Sequence, residues 1–181
     1  AALKQDAERL KMDYLTDAVE LYQSFQKLLP VFRDRNLKKR ELLEKGMTED
    51  EVFAEMQKEI PVFYFIADLA AFFQTVYRPD KTGQAMAPFV ENMMEKGSLH
   101  NIYFIGCLNT DDAAAGAGWK AFQNFIGYKT GICLSAPGSQ RIYHFANIPY
   151  TRMNRPPAKG NGYAVMEDDT EATAVVLPLA G

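Results

Sequence analysis

Apolar residues recur every three or four positions at Leu3, Ala7, Leu10, Tyr14, Ala18, Leu21, Phe25 and Leu28. That period predicts an amphipathic helix over 3–29, with Pro30 expected to stop or kink it. A mixed-charge stretch follows from Arg33 to Lys45, with Gly46 as a stop. Thr48-Glu49-Asp50-Glu51 reads as a capping box opening a helix that runs to about Ile60. The pattern then changes. Pro61-Val62-Phe63-Tyr64-Phe65-Ile66-Ala67 is a continuous apolar run rich in β-branched and aromatic residues, which predicts a strand buried on both faces.

A short helix is expected from near Asp68 and a loop over 78–83. A further helix is predicted from Met86 to Met94, closed by Gly97. Asn101–Cys107 reads as a second buried strand. The Ala/Gly-rich turn 112–118 leads to a helix through Trp119, Phe122 and Phe125. Thr130–Leu134, Asn161–Met166 and Ala174–Leu177 read as three more strands, the last two joined as an antiparallel edge hairpin by Glu167-Asp168-Asp169. Strands alternating with helices predict an α/β chain with a largely parallel sheet covered on both faces.

At 181 residues and 48% hydrophobic, the chain is expected to be one domain, with a helical segment 1–60 and an α/β core 61–181. The net charge of −3 and the scattered Lys and Arg argue against duplex nucleic acid as a partner. Cys107 and Cys133 lie in apolar runs and read as reduced thiols, and no Cys/His cluster has metal-ligand spacing. No apolar run is long enough to span a bilayer and no signal peptide opens the chain. The abrupt start on a helical pattern reads as a piece of a longer protein.

The carboxyl end of the first strand carries Asp68, at the place where open α/β sheets bind ligands. No G-x-x-x-x-G-K-[ST] loop accompanies it. The order of the pieces carries a resemblance: a long helix with Arg35-Asn36, a strand ending in Asp68-Leu69-Ala70, and a helix ending in Gly97. After these come Leu99-His100 before a strand, Gly131-Ile132-Cys133-Leu134, and Lys159-Gly160-Asn161-Gly162-Tyr163-Ala164. Nearly all of the chain thereby resembles the C-terminal two-thirds of an FtsK/SpoIIIE-type P-loop ATPase domain. It looks most like the last such domain of the membrane-anchored motors of type VIIb secretion systems. The resemblance implies a three-layer P-loop NTPase (RecA/FtsK-like) fold, mostly parallel, lacking its phosphate-loop unit within this chain.

The departures from that family decide the expected chemistry. The family's second nucleotide motif ends in Asp-Glu-Leu-Ala, where Asp orders magnesium and Glu polarises water. Here the stretch is Ala67-Asp68-Leu69-Ala70. A methyl cannot bind magnesium, and Asp is shorter than Glu by one methylene, in a reaction dominated by positioning. A Thr-Gln-Arg sequence of DNA-pumping members is replaced by Cys107-Leu108-Asn109, leaving Asn109 as the polar group able to bond a phosphate or water. ATP with magnesium is therefore expected to bind weakly or not at all, with slow or no hydrolysis.

Each candidate has a plainer reading. Asp68 at a degenerate catalytic position also suits a helix cap. Arg35, a candidate inter-subunit finger, also suits a solvated surface. Trp119, Phe122 and Phe125, a candidate substrate-docking stripe, also suit a core. His100 reads as a structural histidine, and the basic loop of Arg152, Arg155 and Lys159 reads as solvated or as a weak phosphate or inter-subunit contact.

The resemblance implies a non-catalytic module that engages helical secretion substrates of WXG or LXG type and regulates neighbouring ATPase domains of the same chain. The parent would be hexameric, with this part on the cytoplasmic side of a bacterial inner membrane. An active ATPase whose phosphate loop lies outside the chain is the alternative. An FtsK-type DNA translocase is disfavoured by the acidic balance, and no nucleic-acid partner is expected.

Overall fold

The computed structural model describes residues 2–166 and 171–178. The chain packs as two units, 1–107 and 108–181, so the packing boundary falls after Cys107 and not at residue 60.

In the first unit the stretch 3–29 forms parts of two helices, α1 (Ala2–Arg9) and α2 (Ala18–Glu44). The break has a local cause. Lys11 takes a left-handed φ of 56°. Asp17 then restarts the helix by accepting the N–H groups of Val19 and Glu20 at 2.8 and 2.9 Å. Pro30 does not end α2. Pro30 and Gln26 are both exposed, so the carbonyl that loses its donor stays in water. Buried Leu21, Phe25 and Leu28 precede Pro30, and buried Arg35 holds the helix beyond it.

The capping box at Thr48 opens α3 (Glu49–Met56) as expected, with Glu51 N–H on Thr48 Oγ1 and Thr48 N–H on Glu51 Oε2. Next come β1 (Val62–Ile66), α4 (Leu69–Val76) and α5 (Lys81–Lys96). Asp80 caps α5, so Lys81, Thr82 and Gly83 are helical where a loop was expected. A 3-10 turn, Gly97–His100, leads into β2 (Ile102–Gly106). β1 and β2 are parallel, with Val62 opposite Ile102 and Ile66 opposite Gly106. Met56, Leu69, Phe73, Val76, Met86 and Val90 are essentially inaccessible to solvent.

The expectation that β1 is buried on both faces does not hold among the described residues. Phe63 and Phe65 are 47% and 59% exposed, whereas Tyr64 turns inward beside Leu28 and Met93. β1 has one strand neighbour, β2, among the described residues. Its outer face is a row of stacked rings, Phe63 lying 5.3 Å from Tyr103 and 6.1 Å from Phe65.

The second unit holds 3-10 turns at Thr110–Asp112 and Ala115–Gly118, then α6 (Lys120–Gly127) and β3 (Gly131–Cys133). After a 3-10 turn at Pro137–Ser139 come the helical turn α7 (Tyr150–Met153), β4 (Asn161–Val165) and β5 (Thr173–Val176). β4 and β5 pair antiparallel, as the sequence suggests. The joining residues Glu167-Asp168-Asp169 lie outside those described. β3 also pairs antiparallel with β4, Cys133 opposite Tyr163, where a parallel strand was expected. Parallel neighbours need a crossover element, and the connection from β3 to β4 contains nothing longer than the one-turn α7. The α/β class stands, with its parallel pairing confined to β1 and β2 among the described residues.

Candidate functional site

The carboxyl end of the parallel pair places Ala67, Asp68 and Cys107 together. Cys107 N–H donates to the carbonyl of Ile66, and Leu69 N–H donates to the carbonyl of Cys107, both at 2.9 Å. Asp68 is exposed there. Its Oδ1 accepts the N–H of Ala71 at 2.9 Å, which satisfies one of the free donors in the first turn of α4. The plainer reading of Asp68 is thus realised in the structure.

That donor set does not fit a magnesium-bound nucleotide. Ala67 offers a methyl, and one Asp68 oxygen is already engaged by the helix. Among the described residues no group of three or more His, Cys, Asp or Glu could hold a metal ion. Asn109 belongs to the second unit, where its Oδ1 accepts the N–H of Asp111 at 3.4 Å and opens a 3-10 turn.

Arg35 stands elsewhere and is neither solvated nor presented outward. It is 7% exposed. Nη1 donates to the carbonyls of His100 at 2.7 Å and Asn101 at 3.3 Å, and Nη2 donates to that of Ile60 at 2.6 Å. These carbonyls precede β2 and β1, so Arg35 binds the amino end of the parallel pair. Asp68 follows β1, a strand of five residues, or roughly 17 Å away at the usual rise. The structure therefore separates the two candidates that the sequence grouped as nucleotide-handling. A finger role would require all three internal bonds to break.

Two neighbours complete this junction, and sequence reading missed their coupling to Arg35. Asn101 adopts a left-handed φ of 55°, and its Nδ2 donates to the carbonyl of Glu59 at 2.6 Å. His100 is 2% exposed and packs edge-on to Phe32 with ring centroids 4.6 Å apart. Its Nδ1 has no hydrogen-bond partner among the described residues. Burial first, and then the charges of Lys39, Arg35 and Lys96, lower its pKa to about 4. The one available signal was local: Asn is the residue type that enters left-handed turns.

The aromatic stripe divides. Phe122 is 2% exposed. A Cβ on Gly116 would meet its ring at 2.6 Å, so the glycine-rich turn lies directly against it. Phe122 is core. Trp119 and Phe125 are half-buried. Arg152, Arg155 and Lys159 are exposed.

No family model and no curated protein is matched by the chain. Its fold is that of solved EssC ATPase domains. It superposes on the cytoplasmic domain of EssC with a TM-score of 0.73 at 16% identity, over 95% of this chain and 30% of that one. It superposes on EssC ATPases 2 and 3 from Geobacillus thermodenitrificans with a TM-score of 0.66 at 18% identity, over 92% of this chain and 27% of that one. The chain thus spans less than a third of either solved chain.

Proposed function

We propose that this chain is a P-loop-fold module of a type VII secretion motor that docks substrate and does not hydrolyse ATP efficiently. The carrying observation is at the end of β1, where Ala67 replaces the magnesium acid and the Asp68 carboxylate caps α4. The likeness of fold to EssC ATPase domains supports the motor assignment. Helical substrates of WXG or LXG type would be the cargo, and other ATPase domains of the same polypeptide the regulated partners. Half-buried Trp119 and Phe125 are the remaining candidates for a cargo-facing stripe. The site of action would be the cytoplasmic side of a bacterial inner membrane. Among the described residues no helix is long and apolar enough to cross a membrane.

Calorimetric titration with Mg-ATP and with a purified WXG-type substrate tests the reading, together with a phosphate-release assay. The expected result is substrate binding without turnover. ATP turnover that disappears in Asp68→Ala would instead establish an active ATPase, completed by a phosphate loop outside this sequence.

A further inference from the structure

The surfaces of the two units differ in charge. Between Asp112 and Glu167 the chain contains no acidic residue, yet it carries Lys120, Lys129, Arg141, Arg152, Arg155 and Lys159. The stretch 135–160 wraps a small core with its apolar side inward. Tyr143, Ile148 and Met153 pack on Cys133 and Phe145. Its outer side carries exposed Arg141, Arg152, Arg155 and Lys159, and these make no ion pair among the described residues. Among them Tyr150 of α7 is 84% exposed. A large aromatic ring left in water beside arginines has the composition of an interface anchor.

The first unit carries the complement. The α2–α3 corner is acidic, with Glu41, Glu44, Glu49, Asp50 and Glu51. Glu41 and Glu44 close α2, whose last turn has no basic residue. Carboxylates at the negative end of a helix are locally unfavourable, so their placement is unexplained by α2 itself. Within this corner lies a groove of about 140 Å³ lined by Lys39, Leu43, Glu49, Val52, Phe53 and Leu99. Leu43, Phe53 and Leu99 are 40%, 46% and 39% exposed. The groove adjoins the residues preceding β2, away from Asp68.

We infer that the chain associates head to tail with a second copy of itself. Tyr150 of one copy enters the Leu43–Phe53–Leu99 groove of the next, while Arg152 and Arg155 face Glu49 and Asp50. Knob and groove belong to different units, so the contact is heterologous and leaves a free knob and a free groove for further copies. Opposite charges around an aromatic anchor set its register and make it sensitive to salt. Neither ATP nor secretion cargo is required.

Analytical ultracentrifugation of the 181-residue chain over a range of concentrations tests this. Concentration-dependent association that weakens with salt is expected. Tyr150→Ala should weaken it by at least about tenfold. The variants Arg152→Glu/Arg155→Glu and Glu49→Lys/Asp50→Lys, each with the circular dichroism of the parent, should each be monomeric alone. Mixed, they should associate again, because each supplies the charge that the other lost. A chain that stays monomeric at all concentrations overturns the inference. So does association indifferent to both charge reversals, or failure of the folded variants to associate when mixed.

Discussion

Arg35 Nη1 donates a 2.7 Å hydrogen bond to the carbonyl oxygen of His100, a residue 65 positions later in the chain. The same guanidinium holds Ile60, so one side chain ties α2 to the entrances of both parallel strands. Five donors in a fixed planar fork suit several carbonyls at once, which an ammonium cannot match.

Removing that fork should be costly. Arg35→Ala leaves carbonyls at a buried junction without their donor and is expected to lower unfolding stability by about 3 kcal/mol. Arg35→Lys should recover less than half of the loss. Urea unfolding followed by far-ultraviolet circular dichroism measures both. A loss below the experimental error in Arg35→Ala would show that the junction does not depend on this residue.

His100 makes the same junction acid-sensitive. Its imidazole titrates near 4 when folded against an ordinary value of 6.5. Between those values the unfolded chain binds the proton and the folded chain does not. Stability contributed by neutral His100 is therefore fully present above pH 6.5 and declines as pH falls toward 4. The decline is up to about 3 kcal/mol, since each pH unit between the two values is worth about 1.4 kcal/mol. Denaturant midpoints measured at pH 7.5, 6, 5 and 4.5 should show this slope, and His100→Phe should flatten it. An equally steep profile in a folded His100→Phe protein would place the acid sensitivity elsewhere.

Asp68 can be tested for capping apart from chemistry. Asp68→Ala should cost about 1 kcal/mol, and Asp68→Asn should restore most of it because an amide oxygen still accepts the Ala71 N–H. Mg-ATP affinity should be the same in all three proteins. Nucleotide binding that is present in the parent and lost in Asp68→Asn would return Asp68 to a nucleotide role.

The turn at Gly116 is expected to tolerate nothing larger. Gly116→Ala drives a methyl into the Phe122 ring and should destabilise by about 1–3 kcal/mol. Phe122→Ala should cost about 3–5 kcal/mol through the cavity it leaves. Phe125→Ala, at a half-buried position, should cost distinctly less and is the better probe of cargo docking. Thermal unfolding of the three variants gives the comparison.

Local chemistry was legible where it was self-contained. The Thr48 box, the Asp68 cap, the β1 and β2 strands and the β4–β5 hairpin all follow from neighbours within a few residues, whose interactions need no distant partner. The joint position of Arg35, His100 and Asn101 was not legible. Their bonds run to backbone carbonyls, and a carbonyl looks the same in every residue of a sequence.

By itself, the sequence determined the α/β class, the order of its elements and the weakness of the residues at the end of β1 as a magnesium site. Side-chain type and spacing are sufficient for those. Tertiary packing alone decided that Arg35 is interior, that Phe63 and Phe65 face outward and that β3 runs antiparallel to β4. Each of these depends on which surface another element covers, and an apolar residue carries no mark of whether its neighbour is a helix, a strand or water.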